Sequence, residues 1–207
     1  GATSLHLGHI APTYKEPLVN TFPEIEEAVR VRYVFGGGLL TYGDRQFLEE
    51  RVYFAEENLF DLFTFPMLRG DPETALTQPM SIVITESMAE KYFGNDDPLD
   101  KTFQGDFYGT KVNLTVKGVT EDVSENAHGH YDFLISFTTY EMFATDLESF
   151  GSNNYATYVL LPEDYDIRDL DEAMPAFIDG LLGEDAHLGR ILRFQKVTDI
   201  HLHSNLD

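Results

Sequence analysis

Two hydrophobic periodicities are mixed along this chain, and their order sets the fold class. Residues 111–119 alternate apolar and polar side chains at every second position, as a half-buried strand does. The apolar residues from Leu170 to Leu181 instead recur at helical spacing, which predicts a helix with a core-facing stripe. Strands and helices follow one another without regular β-α-β-α alternation, so the sequence predicts an α+β fold.

Two strand-to-helix units are the clearest local pattern. In the first, residues 45–55 predict a strand, and Asn58 can cap the helix that follows. In the second, residues 81–85 predict a strand that leads directly into a helix. Ser87 and Glu90 have the spacing of a capping box for that helix, and Gly94 has the position of its C-terminal stop.

The other elements are predicted from shorter patterns. Residues 29–35 predict a strand whose branched and aromatic side chains share one face, and three glycines then predict a turn. A short helix is expected within residues 16–28, with a break at Pro23. Pro175 lies inside the long predicted helix, so we expect a kink or a restart there. Further strands are predicted at residues 102–107, 131–137, 155–161 and 194–202.

Size and charge restrict the class of protein and its partners. The 207 residues, 43% of them hydrophobic, are enough for one large core or two smaller ones. The chain has 14 Lys and Arg against 36 Asp and Glu, a formal net charge of -22. A surface of this sign repels a phosphate backbone, so we expect no nucleic-acid partner. The acidic residues are spread along the chain, which indicates solubility more than a specific acidic site.

Absent residue types restrict the chemistry further. The sequence has no cysteine, which excludes disulfides, thiolate nucleophiles and Cys-ligated zinc. No stretch approaches the ~20 apolar residues that span a bilayer. We therefore expect the chain to be a soluble piece of a longer protein.

The histidines carry the strongest catalytic-looking pattern. His128 with His130, and His201 with His203, form two H-x-H pairs, which on a strand project to the same face and can chelate zinc or copper. A catalytic zinc also needs a third ligand, which neither pair supplies. Acidic pairs such as Glu49 with Glu50 are adjacent in sequence, unlike the carboxylates that face each other in a glycosidase. We predict no catalytic residue, no metal site and no cofactor.

Six segments of the sequence form a distinctive ordered set. They are FPEIEEAVR (22–30), FDLFTFPMLRGDP (60–72), SIVITESMAEKYFG (81–94), DPLDK (97–101), VKGV (116–119) and TDIHLHS (198–204). In this order they resemble the MacB-like periplasmic core domain of FtsX-like ABC transporter permeases. The resemblance covers most of the chain and departs from the family at Asp100, where glycine is usual, and over residues 144–154.

The resemblance implies an architecture of two parts. A porter-like subdomain would combine residues 1–66 with residues 145–207, and a smaller α+β sabre-like subdomain would be inserted as residues 67–144. Both chain ends would then leave the domain at the same end and continue into membrane helices. The closing strand would pair with an early strand, such as that of residues 29–35 or 51–55.

The resemblance also implies a function. The chain would be a non-catalytic domain on the periplasmic side of the bacterial inner membrane that binds cargo or a partner and transmits motion from ATP hydrolysis elsewhere. Its implied partners are its own transmembrane helices, a second permease copy, a cytoplasmic ABC ATPase, and a periplasmic adaptor or outer-membrane channel. The alternative is a secreted metal-dependent hydrolase that uses the H-x-H pairs. The nature of the cargo does not follow from the sequence.

Overall fold

The computed structural model describes residues 3–123 and 129–197, with the backbone alone for residues 3–8. This part of the chain forms two compact units. The first unit combines the beginning of the chain, up to Arg30, with the part from Asp146 onward. The second unit is Val31–Thr145.

Helices and strands are mixed in both units, which confirms the predicted α+β fold. The helices are α1 (Lys15–Thr21), α2 (Leu59–Leu62), α3 (Glu86–Phe93), α4 (Phe137–Glu141) and α5 (Ile167–Leu182). The strands are β1 (Thr3–Ile10), β2 (Glu27–Tyr33), β3 (Gly38–Tyr42), β4 (Arg45–Glu49), β5 (Val52–Ala55), β6 (Met67–Gly70), β7 (Ser81–Thr85), β8 (Thr102–Phe107), β9 (Thr110–Thr120), β10 (Phe133–Ser136), β11 (Tyr155–Leu161) and β12 (Phe194–Lys196).

The first unit is built around β1, which pairs antiparallel with β11 on one side and with β12 on the other. Leu5 of β1 lies opposite Lys196 of β12 and opposite Val159 of β11. The helix α5 packs on this layer through the stripe predicted from the sequence, since its residues Leu170, Met174, Phe177 and Ile178 are buried. The other core residues are Ile10, Ala11, Tyr14, Leu18, Ile25, Ala28, Val159, Leu161, Leu192 and Phe194.

The second unit is a sheet in the order β2-β5-β10-β7-β9-β8-β3-β4, with β6 paired to β9. The pairs β5 with β10 and β7 with β9 are parallel, and the pairs that involve β3, β4 and β8 are antiparallel. Aromatic rings fill much of its core. The Tyr92 ring of α3 meets Phe103 at 4.8 Å between centroids, and the Phe54 and Phe107 rings meet at 5.5 Å, both edge to face.

Most local predictions agree with the structure, and three require correction. The single strand predicted over residues 45–55 is wrong, because the chain forms two strands there, β4 paired with β3 and β5 paired with β2 and β10. The strand β7, the hairpin of β8 and β9 and the stop of α3 at Gly94, which has a φ of 64°, are confirmed. The capping box is wrong, because α3 begins at Glu86 with Thr85 as its N-cap, and Ser87 lies inside the helix. No restart occurs at Pro175, because α5 continues through it from Ile167 to Leu182.

The position of the closing strand also differs from the prediction. The strand β12 pairs with β1, at the very beginning of the chain, and not with the strands that contain residues 29–35 or 51–55. Residues 198–202 of the predicted strand lie outside the described residues. A strand at the first residues went unpredicted because its stability depends on partners more than 140 residues away, which local patterns do not show.

The division into units bears on the predicted subdomain limits. The later boundary between the units lies between residues 145 and 146, next to the predicted boundary. The earlier boundary lies between residues 30 and 31, whereas the prediction places it after residue 66. The split of residues 1–66 and 145–207 from residues 67–144 as porter-like and sabre-like parts stays a prediction. None of the helices among the described residues is both long and apolar enough to cross a membrane.

Candidate interaction groove

A groove of about 590 Å³ in the first unit has the character of a binding site. It lies between one face of α5 and the chain that returns from that helix to β12. Its floor is apolar, because Met174, Ile178 and Leu192 are all buried there. Its rim is charged and is formed by Arg168, Asp171, Glu172, His187, Arg190 and Arg193.

Side-chain hydrogen bonds fix α5 at both ends and so position the wall of the groove that this helix forms. At its N-terminus, Asp166 accepts a hydrogen bond from the backbone N–H of Arg168 at 3.1 Å. The same carboxylate binds the Arg168 guanidinium, and these hydrogen bonds lower the pKa of Asp166 to about 2. One turn further, Asp171 accepts the backbone N–H of Phe194 at 3.0 Å. This contact ties β12 to the helix and sets the width of the groove.

The returning chain is held against the other end of α5. Gly183 ends the helix with a φ of 108°, a conformation that glycine adopts without a steric penalty. Asp179 then accepts hydrogen bonds from the backbone N–H of His187 at 2.9 Å and from its ring Nδ1 at 2.7 Å. These two bonds hold the pKa of Asp179 below its usual value. The loop that carries His187 is therefore anchored and not free to swing away from the helix.

Two large apolar side chains project outward from this anchored loop. Leu188 is 75% exposed and Ile191 is 74% exposed. Between them, Arg190 donates from its guanidinium to the Tyr14 hydroxyl at 3.2 Å and to the Phe150 carbonyl at 2.7 Å. Exposed apolar residues beside a concave apolar floor, rimmed by charge, are typical of a surface that binds another molecule.

The second unit has a more polar concavity of about 560 Å³, lined by residues that include Arg69, Ser87, Asp96 and Asp122. Asp122 accepts hydrogen bonds from both the backbone N–H and the side-chain hydroxyl of Ser87. Burial alone would raise the pKa of Asp122, but the bonds from Ser87 lower it below its usual value. Because Ser87 lies in the first turn of α3, Asp122 acts as a cap for the helix, and the pair has a structural explanation.

The structure brings none of the sequence-predicted histidine pairs together as a site. His128, His201 and His203 lie outside the described residues. His130 is described and half-buried, but within residues 3–123 and 129–197 no group of three His, Asp or Glu is placed to hold a metal ion. The prediction that these four histidines bind no metal stays a prediction.

The sequence analysis did not single out the groove, although a signal for it exists. Residues 186–197 contain Arg190, Arg193 and Lys196 and no acidic residue, in a chain where acidic residues outnumber basic ones by 36 to 14. This local reversal of charge marks the part of the returning chain that follows Asp185. The apolar floor gives no separate signal, because its residues fit the pattern of an ordinary core stripe.

Solved structures of three transporter domains share the fold. A domain of a protein described as a permease from Porphyromonas gingivalis superposes with a TM-score of 0.74 at 22% identity, over 94% of this chain and 88% of that chain. The periplasmic region of MacB from Actinobacillus actinomycetemcomitans gives a TM-score of 0.68 at 16% identity, over 97% and 90%. The extracellular domain of the noncanonic ABC-type transporter YknZ from Gram-positive bacteria gives 0.62 at 17% identity, over 93% and 98%.

The fold is thus that of extracytoplasmic domains of transporter permeases. At the level of sequence, the model of the MacB-like periplasmic core domain matches residues 4–177. The chain belongs to the MacB-like periplasmic core domain family and is a domain of a MacB-like or FtsX-like ABC transporter permease, which confirms the resemblance. No curated protein sequence matches the chain.

Proposed function

We propose that this chain is a non-catalytic domain on the periplasmic side of the inner membrane, which binds a cargo or partner and transmits motion driven by ATP hydrolysis elsewhere in the transporter. The observation that carries the proposal is the pairing of the first described strand with the last. Lys196 of β12 lies opposite Leu5 of β1, and Phe194 lies opposite Leu7, in an antiparallel register.

This pairing brings the two ends of the described chain to the same end of the first unit. In an antiparallel pair, the start of one strand lies beside the end of the other. Thr3 and Val197 therefore leave the unit side by side, which suits a domain inserted between two membrane helices. We propose that the chain continues into such helices at both ends, and that the porter-like part, residues 1–66 and 145–207, lies nearer the membrane than the sabre-like residues 67–144.

The proposed partners follow from this arrangement. They are the domain's own transmembrane helices, a second permease copy, a cytoplasmic ABC ATPase, and a periplasmic adaptor or outer-membrane channel. The absence of catalysis is part of the proposal. Among the described residues that line the two concavities, no serine lies beside a histidine that could act as its base. The purified chain is expected to bind neither ATP nor stoichiometric zinc, and zinc that survives dialysis would support the hydrolase alternative.

The transmission of motion can be measured directly, because the chain has no cysteine of its own. Leu48 is 61% exposed on β4, so a Leu48→Cys variant accepts a spin label without disturbing the core. In the full permease with its ATPase, otherwise free of cysteine in reconstituted bilayers, the label-to-label distance between two permease copies is expected to change when an ATP analogue binds. A distance distribution that is the same with and without nucleotide would contradict the proposal.

A further inference from the structure

Beyond Glu184 and Asp185, the chain that forms one wall of the groove carries basic residues and no acidic ones. Residues 186–197, which we call the return segment, contain His187, Arg190, Arg193 and Lys196 and no Asp or Glu. The whole chain has a formal net charge of -22. The basic side chains of this segment can attract an anionic group that comes close to them.

The two arginines of the return segment keep their charge available. Within the described residues, no carboxylate lies within 4.0 Å of either guanidinium. Arg190 is bound by the Tyr14 hydroxyl and the Phe150 carbonyl, which are neutral. Arg193 is exposed.

Several acidic groups of α5 and its N-cap have partners within the unit, although only Asp171 and Glu172 line the groove itself. Asp166 is paired with Arg168, and Asp171 accepts the backbone N–H of Phe194. Asp179 binds His187. Glu172 lies on the same rim and interacts electrostatically with Arg168. The rim is therefore positive on the side of the return segment, through Arg190 and Arg193, and negative on the side of α5, through Asp171 and Glu172.

The same segment presents the most exposed large apolar side chains among the described residues, Leu188 at 75% and Ile191 at 74%. The groove floor beside them consists of Met174, Ile178 and Leu192. A ligand that fits must therefore combine apolar side chains with negative charge. Burial of Leu188 and Ile191 against such a ligand would remove apolar surface from water, and the arginines would orient it.

We propose that this groove binds an acidic and partly apolar segment of another protein, with an apolar side chain on the floor and carboxylates at Arg190 and Arg193. This inference rests on the proposed function, because it assigns the partner-binding role to a particular surface. Carboxylates match the planar fork of an arginine guanidinium, which binds them with two parallel hydrogen bonds.

A lipid surface fits the groove less well. Phe194 pairs with Leu7, which lies four strand residues beyond Thr3, so Arg193 is more than about 13 Å from the end at which both chain ends leave, at about 3.3 Å per residue. In the proposed arrangement, the membrane lies at that end. The overall charge of -22 also repels an anionic bilayer.

The test uses the whole 207-residue chain and a defined probe, the fluorescein-labelled peptide acetyl-Glu-Leu-Phe-Glu-Asp-Leu-amide. Its counterpart carries Gln and Asn in place of the acids. The variant Ile191→Ser with Arg193→Glu removes one exposed apolar and one cationic side chain from the groove. The matched control, Leu48→Ser with Lys111→Glu, makes the same two changes at exposed positions of the second unit. Fluorescence anisotropy at low salt measures binding, and backbone amide NMR shifts locate the peptide.

We expect the acidic peptide to bind, with NMR shifts confined to α5 and the return segment. Its affinity should be about tenfold weaker in the groove variant and unchanged in the control. Binding should also weaken as salt is added. Equal binding of the neutral peptide, no binding of the acidic one, or shifts elsewhere on the chain would overturn the proposal.

Two further measurements separate the other occupants. Vesicles that contain phosphatidylglycerol should not bind the chain, and binding that the groove variant abolishes would assign the surface to the membrane instead. Sedimentation of the wild-type chain should show no dimer, and a dimer that the variant dissociates would assign the groove to a second copy. These assays use the isolated chain, so their outcome is independent of the label distances that test the proposed function.

Discussion

The phenolic hydroxyl of Tyr92 donates a hydrogen bond to Oε1 of Glu49 at 2.6 Å, and the Lys91 ammonium binds the same oxygen at 2.7 Å. The Glu49 side chain is 7% exposed, so these two partners from α3 bind its carboxylate where water has little access. Burial raises the pKa of Tyr92 above its usual range, and the bond to Glu49 raises it further. The contact attaches the edge strand β4 to the helix.

Replacing Tyr92 with Phe should lower the free energy of unfolding by about 1–3 kcal/mol, because it leaves a buried carboxylate with one partner fewer. Urea denaturation of the chain measures the loss. Tyr42→Phe is the matched control, since the Tyr42 ring packs on Phe93 and its hydroxyl has no hydrogen bond among the described residues. A control that loses as much stability as Tyr92→Phe would contradict this explanation.

The turn before β3 gives a second test in two neighbouring glycines. Gly36 has a φ of 81° and open space around a built Cβ, so Gly36→Ala should cost about 1–2 kcal/mol from backbone strain alone. Gly37 has a φ of 78°, and its Cβ would lie 2.4 Å from the carbonyl oxygen of Glu49. Gly37→Ala should therefore cost about 3 kcal/mol or more. The prediction fails if denaturant unfolding finds the two variants equally stable.

Tyr131 should make the stability sensitive to alkaline pH. Burial raises its pKa to about 12, while its hydrogen bond to Thr120 opposes the shift. An unfolded tyrosine ionises near pH 10, so the contribution of Tyr131 is complete below about pH 10 and is lost as the pH rises toward 12. The stability difference between wild type and Tyr131→Phe should shrink over this range by on the order of 2 kcal/mol.

Chemical denaturation at several pH values between 8 and 11.5, on both proteins, measures that difference. Alkaline effects that other groups exert cancel in the comparison, because the two proteins differ in one hydroxyl. A difference that stays constant with pH would show that Tyr131 ionises as it does in the unfolded chain.

The N-cap of α5 should survive strong acid. Its carboxylate, Asp166, has a pKa lowered to about 2 by the hydrogen bonds from Arg168. Because the folded pKa is depressed, this cap stabilises the helix fully above about pH 4 and is lost only as the pH falls through about 2. A carboxyl NMR titration should show this midpoint, and Arg168→Gln should move it upward.

Asp179 provides the internal control for this titration. Its pKa is held low by His187 at the other end of α5, so Arg168→Gln should leave its midpoint unchanged. A shift of both aspartates together would indicate that the variant disturbs the helix and not the local ion pair.

Patterns that are complete within a few residues could be predicted from the sequence, and contacts between distant segments could not. The hairpin of β8 and β9 alternates strictly and turns at Gly109, so its own residues specify it. Arg32 illustrates the opposite case. It alternates with apolar neighbours in β2 as a solvent-facing residue would, yet it is only 9% exposed.

The partners that bury Arg32 come from other parts of the chain. Its guanidinium lies 4.6 Å from the centre of the Tyr140 ring in α4 and 5.5 Å from the Tyr108 ring in the turn after β8. Phe35, by contrast, is 52% exposed. The groove depends on distance in the same way, because Asp171 and Phe194 meet only once β12 has paired with β1. The charge reversal of the return segment was visible in the sequence, but not the apolar floor beside it.

The antiparallel pairing of β1 with β12 also determines how the first unit responds to tension. A force that separates Thr3 from Val197 acts at one end of the strand pair and opens its hydrogen bonds one after another, beginning next to Leu5 and Lys196. A force that moves both residues in the same direction leaves this pair unstressed and displaces the unit as a whole. The unit therefore yields easily to a force that separates the two ends and resists a force that moves them together. In the proposed arrangement, two attached helices would have to shift together for their displacement to reach the groove undiminished.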